Sequence, residues 1–233
     1  MLKQVTTMTF ATTAIGRTTL SNSLTLTIAA EQTACRSTRR EELTERAKMS
    51  RLKEQKKILR REFLLKRAAV PHDERDRVSH ALIKKFLATE IFRASKIIMA
   101  YASTPDELQL NELFAACFAE KKILAIPFIV GKGEMQAAEV PSFDALEVGA
   151  FNIMTVKREL RKFIAPEEID CVIVPGAAFD VRGGRLGLGG GYYDRFLPQA
   201  VNAKKIALAY EFQLVDNLPL ESHDAKLDMV LTV

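Results

Sequence analysis

Residues 170–194 read Asp170-Cys171-Val172-Ile173-Val174-Pro175, then Gly176-Ala177-Ala178-Phe179-Asp180-Val181-Arg182, then Gly183-Gly184-Arg185-Leu186-Gly187-Leu188-Gly189-Gly190-Gly191-Tyr192-Tyr193-Asp194. The first block is a short apolar, β-branched run between a charge and a proline, which suits a buried strand. The last block holds six of the chain's eleven glycines, more than an ordinary connection needs. Without a Cβ, neighbouring residues can turn several N–H groups toward one point and let an anion approach closely. Tyr192 to Leu197 can open a helix before Pro198. The order strand, glycine loop, helix start adds the free N–H groups and positive dipole end of a helix to that loop, so phosphate is the expected guest.

The loop fits neither common phosphate motif. A Walker A loop needs Lys-Ser or Lys-Thr after its last glycine, where this chain has Tyr192; counting from Gly187 and Gly189, the dinucleotide pattern would need a third glycine at the same tyrosine. A flexible linker is excluded on composition, because such linkers are serine-rich and poor in bulky residues, whereas Arg185, two tyrosines and Asp194 stand among these glycines.

Moving outward, Lys96–Tyr101, Lys122–Pro127, 134–140, Lys204–Tyr210 and Asp228–Thr232 read as further strands, with helical stretches between several of them. Leu52–Ala69 has the pattern of an amphipathic helix with a heavily basic side; Pro71-His72-Asp73 stops it and offers Asp73 as the cap of a second helix reaching Ala88, and Asn111–Glu120 is a third. The alternation predicts an α/β fold of three layers, a largely parallel sheet flanked by helices.

The chain carries a formal charge of +5, but residues 1–48 hold seven basic against four acidic residues, leaving only +2 for the rest. No zinc finger, no aromatic RNA-binding motif and no basic stripe with interleaved aromatics is present, so nucleic acid is not the expected partner. No run approaches the roughly 18 apolar residues of a membrane span. Cys35, Cys117 and Cys171 share no metal-ligand spacing and form an odd set, which supports neither a disulfide framework nor a zinc site and predicts a reducing, cytoplasmic setting, with Cys117 and Cys171 as core residues. Residues 1–35 are rich in Thr, Ser and Ala without apolar periodicity and are expected to be disordered. The segment 1–48 is read as a non-native extension ahead of Met49, the alternative being a mitochondrial transit segment for which its arginines are few. Residues 49–233 are then one domain, expected as a monomer.

The run Pro-Gly-x-x-Phe-Asp-x-x-Gly-x-Arg-Leu-Gly-x-Gly-x-Gly-Tyr-Tyr-Asp stands unbroken from Pro175 to Asp194 and resembles the signature of the 5-formyltetrahydrofolate cyclo-ligase (methenyltetrahydrofolate synthetase) family. Lys56 and Arg60 match that family's early Lys-x-x-x-Arg, and Asp224 and Asp228 its late acidic cluster, so the resemblance covers residues 50–233. It implies closure of 5-formyltetrahydrofolate to 5,10-methenyltetrahydrofolate with ATP and magnesium, releasing ADP and phosphate; the formyl oxygen attacks the γ-phosphate and the second folate nitrogen closes onto the activated carbon. Such chemistry requires a triphosphate and a carbonyl oxygen held in line, with cationic donors on the transferring group.

By this resemblance Lys56 and Arg185 are the candidate catalytic cations. Lys56, Arg60, Gly183, Gly184, Arg185, Leu186, Gly187, Leu188, Gly189, Gly190, Gly191, Tyr192 and Tyr193 bind ATP, Asp194 and Asp224 hold magnesium, and Ala102, Glu107, Phe151 and Tyr193 contact the folate. Asp194 has a second possible use as a helix cap, and His223 reads as an exposed neighbour of Asp224. Two departures fall on the substrate side. Glu107-Leu108-Gln109-Leu110 stands where the family has Glu-Val-Asp-Thr, and Phe151-Asn152-Ile153-Met154 lacks the family's proline. A divergent paralogue acting on another formyl or carbonyl compound, or a non-catalytic RNA-binding module, are the competing readings.

Overall fold

The computed structural model describes residues 44–149, 153–221 and 224–233; the expectations for residues 1–35, Cys35, Phe151 and His223 lie outside these. The chain divides after Lys53 into two compact units. In the first, residues 44–53 are helical. The second, 54–233, begins with a helical segment 54–68 (α1) and continues through α2 (His72–Leu87), α3 (Glu90–Ala94), β1 (Ile97–Met99), α4 (Asn111–Ala119), β2 (Ile123–Gly131) and β3 (Glu134–Val140). Two hairpin strands, β4 (Leu146–Val148) and β5 (Met154–Val156), and β6 (Phe163–Ile164) precede β7 (Cys171–Ile173). Then come β8 (Ala178–Asp180), β9 (Arg185–Leu186), α5 (Tyr192–Phe196), β10 (Lys204–Leu208), β11 (Leu214–Val215) and β12 (Met229–Leu231).

Seven strands form one sheet in the order β12-β10-β7-β1-β2-β3-β6. The first five pair in parallel, while β3 and β6 add on antiparallel, so the largely parallel α/β architecture is as expected. Period-two alternation explains the layers. Ile98, Leu124, Ile173 and Ile206 face α2, α3 and α4 in one apolar cluster, and their neighbours Met99, Ala125, Val172 and Ala207 face the other side. Helices cover the first face. The second is covered by the single-turn α5, through Phe196 and Leu197, and by a small sheet β11-β8-β9 through Phe179 and Leu214, a departure from helices on both faces.

Register is fixed by polar contacts at strand starts. Asp170 accepts hydrogen bonds from the N–H groups of Lys96 and Ile97 at 2.8 and 2.9 Å, locking β7 beside β1. The sheet order runs outward in opposite directions from the β1–β7 pair, which makes the carboxyl ends of these two strands the switch point where open α/β sheets bind ligands.

Two expectations change. Asp73 does not cap α2: the helix starts at His72 after Pro71, with no side-chain cap, and Asp73 sits in the first turn, where its charge faces the positive dipole end. Cys117 and Cys171 are core thiols, fully buried; desolvation pushes the Cys117 thiol up to about 12 and the Cys171 thiol up as well.

Candidate functional site

The glycine-rich stretch is two structures. Gly183 and Gly184 turn the β8–β9 hairpin, where buried Asp180 accepts from the N–H groups of Arg182 and Gly184 at 2.9 and 2.8 Å through Oδ1 and from Leu218 at 3.1 Å through Oδ2. A Cβ on Gly183, at φ +80°, would run into the Leu227 carbonyl. These two glycines therefore shape the hairpin and dock it on the approach to β12, and the stretch expected from sequence as one long loop is divided, leaving 187–191 as its loop. Leu186, buried, belongs to β9. In 187–191 Gly189 and Gly191 take positive φ (97° and 66°), Leu188 to Gly190 are exposed, and Tyr192 opens α5.

Arginines surround this loop. Arg60 on α1 donates through Nε to the Gly187 carbonyl at 2.7 Å. Arg195 on α5 donates to Gly190 at 2.7 Å and to Gly133, in the β2–β3 turn, at 2.6 Å, stapling loop to sheet. Arg185 on β9 is buried: its Nη2 donates to Asp194 Oδ1 at 2.6 Å, its Nη1 to the Pro175 carbonyl at 3.2 Å, and its guanidinium lies 5.6 Å from the Tyr193 ring centroid. Its Nε and the Tyr193 hydroxyl are buried without a hydrogen-bond partner. A buried donor left so costs about 1–3 kcal/mol, which an incoming anionic oxygen or substrate acceptor would recover. Burial pushes the Tyr193 hydroxyl well above the ordinary phenol range, with the Glu107 carboxylate adding to the rise. Asp194 pairs with Arg185 rather than capping α5, whose cap is Gly191 with no side-chain bond.

Lys56, one helical turn before Arg60, points at the C-terminal region. Its Nζ donates to Asp224 at 2.6 Å and Glu221 at 2.8 Å. Burial works against its charge, but these two carboxylates outweigh it and raise its pKa. Asp224 and Asp194, both expected on magnesium, thus sit on different cations, and no cluster of three His, Cys, Asp or Glu is found among the described residues. Magnesium takes one or two carboxylates and completes its shell with water and phosphate, so a protein cage is not required. Glu221 and Asp224, converging on one ammonium, offer the hard-oxygen donor set that fits that mode.

On the other side of the switch point, Ala102 and Glu107 are buried. Arg67, at the far end of α1, donates to Asp106 Oδ2 from Nη2 and Nε at 2.7 and 3.1 Å and from Nη1 to Glu107 Oε1 at 3.4 Å. Despite desolvation, which acts the other way, Arg67 and the Thr104 hydroxyl hold the Asp106 carboxyl below its ordinary value. Beside this loop lies a cavity of about 740 Å³, lined by Arg75, Ser79, Ser103, Gln109, Val148 and Met154 among others. Val148 and Met154 flank the segment that carries Phe151. Sequence reading missed Arg67, Asp106, Asp180, Arg195 and Glu221. Arg67 had a local signal in its place on one helix stripe with Lys56, Arg60 and Phe63, and Asp180 in its place within the Pro175–Asp194 run.

A family model described as the 5-formyltetrahydrofolate cyclo-ligase family matches residues 52–233. The chain is 30% identical over 196 residues to a probable 5-formyltetrahydrofolate cyclo-ligase of Caenorhabditis elegans, covering 78% of this chain and 95% of that one. It is 29% identical over 187 residues to 5-formyltetrahydrofolate cyclo-ligase of Mus musculus, covering 76% and 92%. Its fold is similar to that of 5,10-methenyltetrahydrofolate synthetase from Aquifex aeolicus, with a TM-score of 0.68, 36% identity, and coverage of 76% of this chain and 89% of that one.

Proposed function

From the premise that this chain is a ligase belonging to the 5-formyltetrahydrofolate cyclo-ligase family, we propose that it uses ATP and magnesium to close 5-formyltetrahydrofolate to 5,10-methenyltetrahydrofolate, releasing ADP and phosphate. The observation that carries the reading is the buried Arg185, which is held by Asp194, lies beside Gly187 and the Tyr193 ring, and keeps its buried Nε without a partner. In this reading the N–H groups of 187–191 and Arg60 hold the phosphates. Arg185 neutralises charge that develops on the transferring group, in a site where burial strengthens each contact. Asp194 fixes the guanidinium.

Lys56 supplies a second cation, oriented by Asp224 and Glu221. Those two carboxylates are the proposed magnesium ligands, and the ion would screen the phosphate oxygens against the attacking carbonyl oxygen. The folate is placed by Glu107 and Tyr193 and extends toward the large cavity, so that the formyl oxygen reaches the γ-phosphate across the switch point between β1 and β7. Gly183 and Gly184 support the site through the hairpin. A monomeric cytoplasmic enzyme is the accompanying proposal, with two buried free thiols suited to a reducing compartment.

The test is the rise in methenyltetrahydrofolate absorbance when the full chain, or residues 49–233, meets 5-formyltetrahydrofolate, ATP and magnesium, each omitted in turn. A rise requiring all three supports the reading, and equal rates for the two lengths support the domain boundary. Nucleotide binding with no rise would move the assignment to a paralogue with another carbonyl substrate.

A further inference from the structure

We propose that Arg67 is a positioning residue that sets the Glu107 carboxylate for the folate, an inference that rests on the function just given. Three guanidinium nitrogens are taken up by two adjacent carboxylates, Nε and Nη2 by Asp106 and Nη1 by Glu107. The side chains of Arg67 and Glu107 are only 8% and 9% exposed. Glu107 cannot swing away, because its other oxygen accepts the Thr104 N–H at 3.0 Å while its own N–H donates to the Thr104 carbonyl, also at 3.0 Å. The carboxylate is therefore pinned between a cation from one helix and a backbone turn, at the carboxyl end of β1.

Two neighbouring carboxylates repel, and a buried one would turn outward to water. Arg67 removes both tendencies. It lies seven residues beyond Arg60 on α1, about 10 Å along the axis, and no hydrogen bond joins it to the glycine loop among the described residues. Its loss should consequently be felt by the folate and not by the nucleotide. A purely structural anchor for α1 would instead lower stability and disturb both substrates together.

The experiment measures kcat and both KM values for the full chain carrying Arg67→Met, Arg67→Lys, Glu107→Gln and the double variant Arg67→Met/Glu107→Gln, with melting temperatures alongside. Arg67→Met is expected to raise KM for 5-formyltetrahydrofolate by about tenfold, the scale of one misplaced charge-assisted contact, with KM for ATP within about twofold of wild type. Arg67→Lys should recover part of the loss. The double variant should be no worse than Glu107→Gln alone, since the two residues act as one unit. Should Arg67→Met fail to fold, Arg67→Lys and its double with Glu107→Gln carry the same comparison. An unchanged folate KM, a parallel rise in both KM values, or additive losses in the double variant would overturn the positioning role alone. A wild-type chain that neither binds nor turns over 5-formyltetrahydrofolate defeats the function first, and this inference with it.

Discussion

Arg185 and its surroundings show how small residues can be chosen for a large neighbour. A Cβ on Gly187 would sit 2.7 Å from Arg185 Nη1, so this glycine clears space for the guanidinium, while one on Gly176 would meet the Phe179 ring at 2.7 Å and the Arg185 stem at 3.2 Å. Gly187→Ala is accordingly expected to reduce kcat by an order of magnitude or more while shifting the melting temperature little, because a flexible arginine end can give way. Gly183→Ala should do the reverse: its positive φ and the Leu227 carbonyl predict a loss of about 1 kcal/mol or more of stability, read by denaturant unfolding. Arg185→Ala and Asp194→Ala should each lower kcat by about 10²–10³, as removal of a preorganised charge-stabilising donor does; near-wild-type rates in both would sink the site assignment. The six glycines were legible as more than an ordinary connection, but their division between a turn and a loop was not. That division depends on Asp180 reaching back to Gly184 and on a contact with Leu227, forty-four residues further on.

Helix α1 was legible in the sequence as a helix, and its inward stripe only in part. Its 3.6-residue period was plain, and although basic residues on such a helix usually face solvent, the resemblance singled out Lys56 and Arg60 as facing a ligand. Lys56 and Arg67 are buried and Arg60 is half-buried, whereas Ile58 and Leu65 are 59% and 62% exposed. Residues 56, 60, 63 and 67 form one inward stripe, and Phe63 is its apolar anchor against Ala177, Ala178, Leu186 and Leu218. The partners that make burial of three cations tolerable come from distant parts of the chain, Asp106, Glu107, Gly187, Glu221 and Asp224, so no local pattern could show them. Phe63→Ala should cost about 3–5 kcal/mol in denaturant unfolding, whereas Ile58→Ala and Leu65→Ala should stay within about 0.5 kcal/mol. By contrast, strands β1, β2, β7 and β10 were readable directly, because parallel strands buried on both faces appear as continuous apolar runs.

At the scale of the whole unit, charge pairing makes stability depend on acid. The Asp106 carboxyl is held below its ordinary value of 3.8, so the stabilisation from its pair with Arg67 is complete above that pH and disappears as pH falls through the lower folded value. The melting temperature of wild type should therefore drop more steeply below about pH 4 than that of Arg67→Met, which lacks the guanidinium's share of the depression; parallel acid limbs would exclude the pair as a source. The contact between Lys56 and Asp224 has a different consequence, for biosynthesis. It joins residues 168 apart, so one of the proposed catalytic cations gains this partner only once translation has run on through residue 224. A nascent chain can assemble the β1–β2 half of the sheet early, yet the proposed nucleotide site stays unfinished until Glu221 and Asp224 have been made. Messages cut short before residue 221 should yield protein that folds in part but lacks the proposed turnover, which makes activity itself a report that translation has passed Asp224.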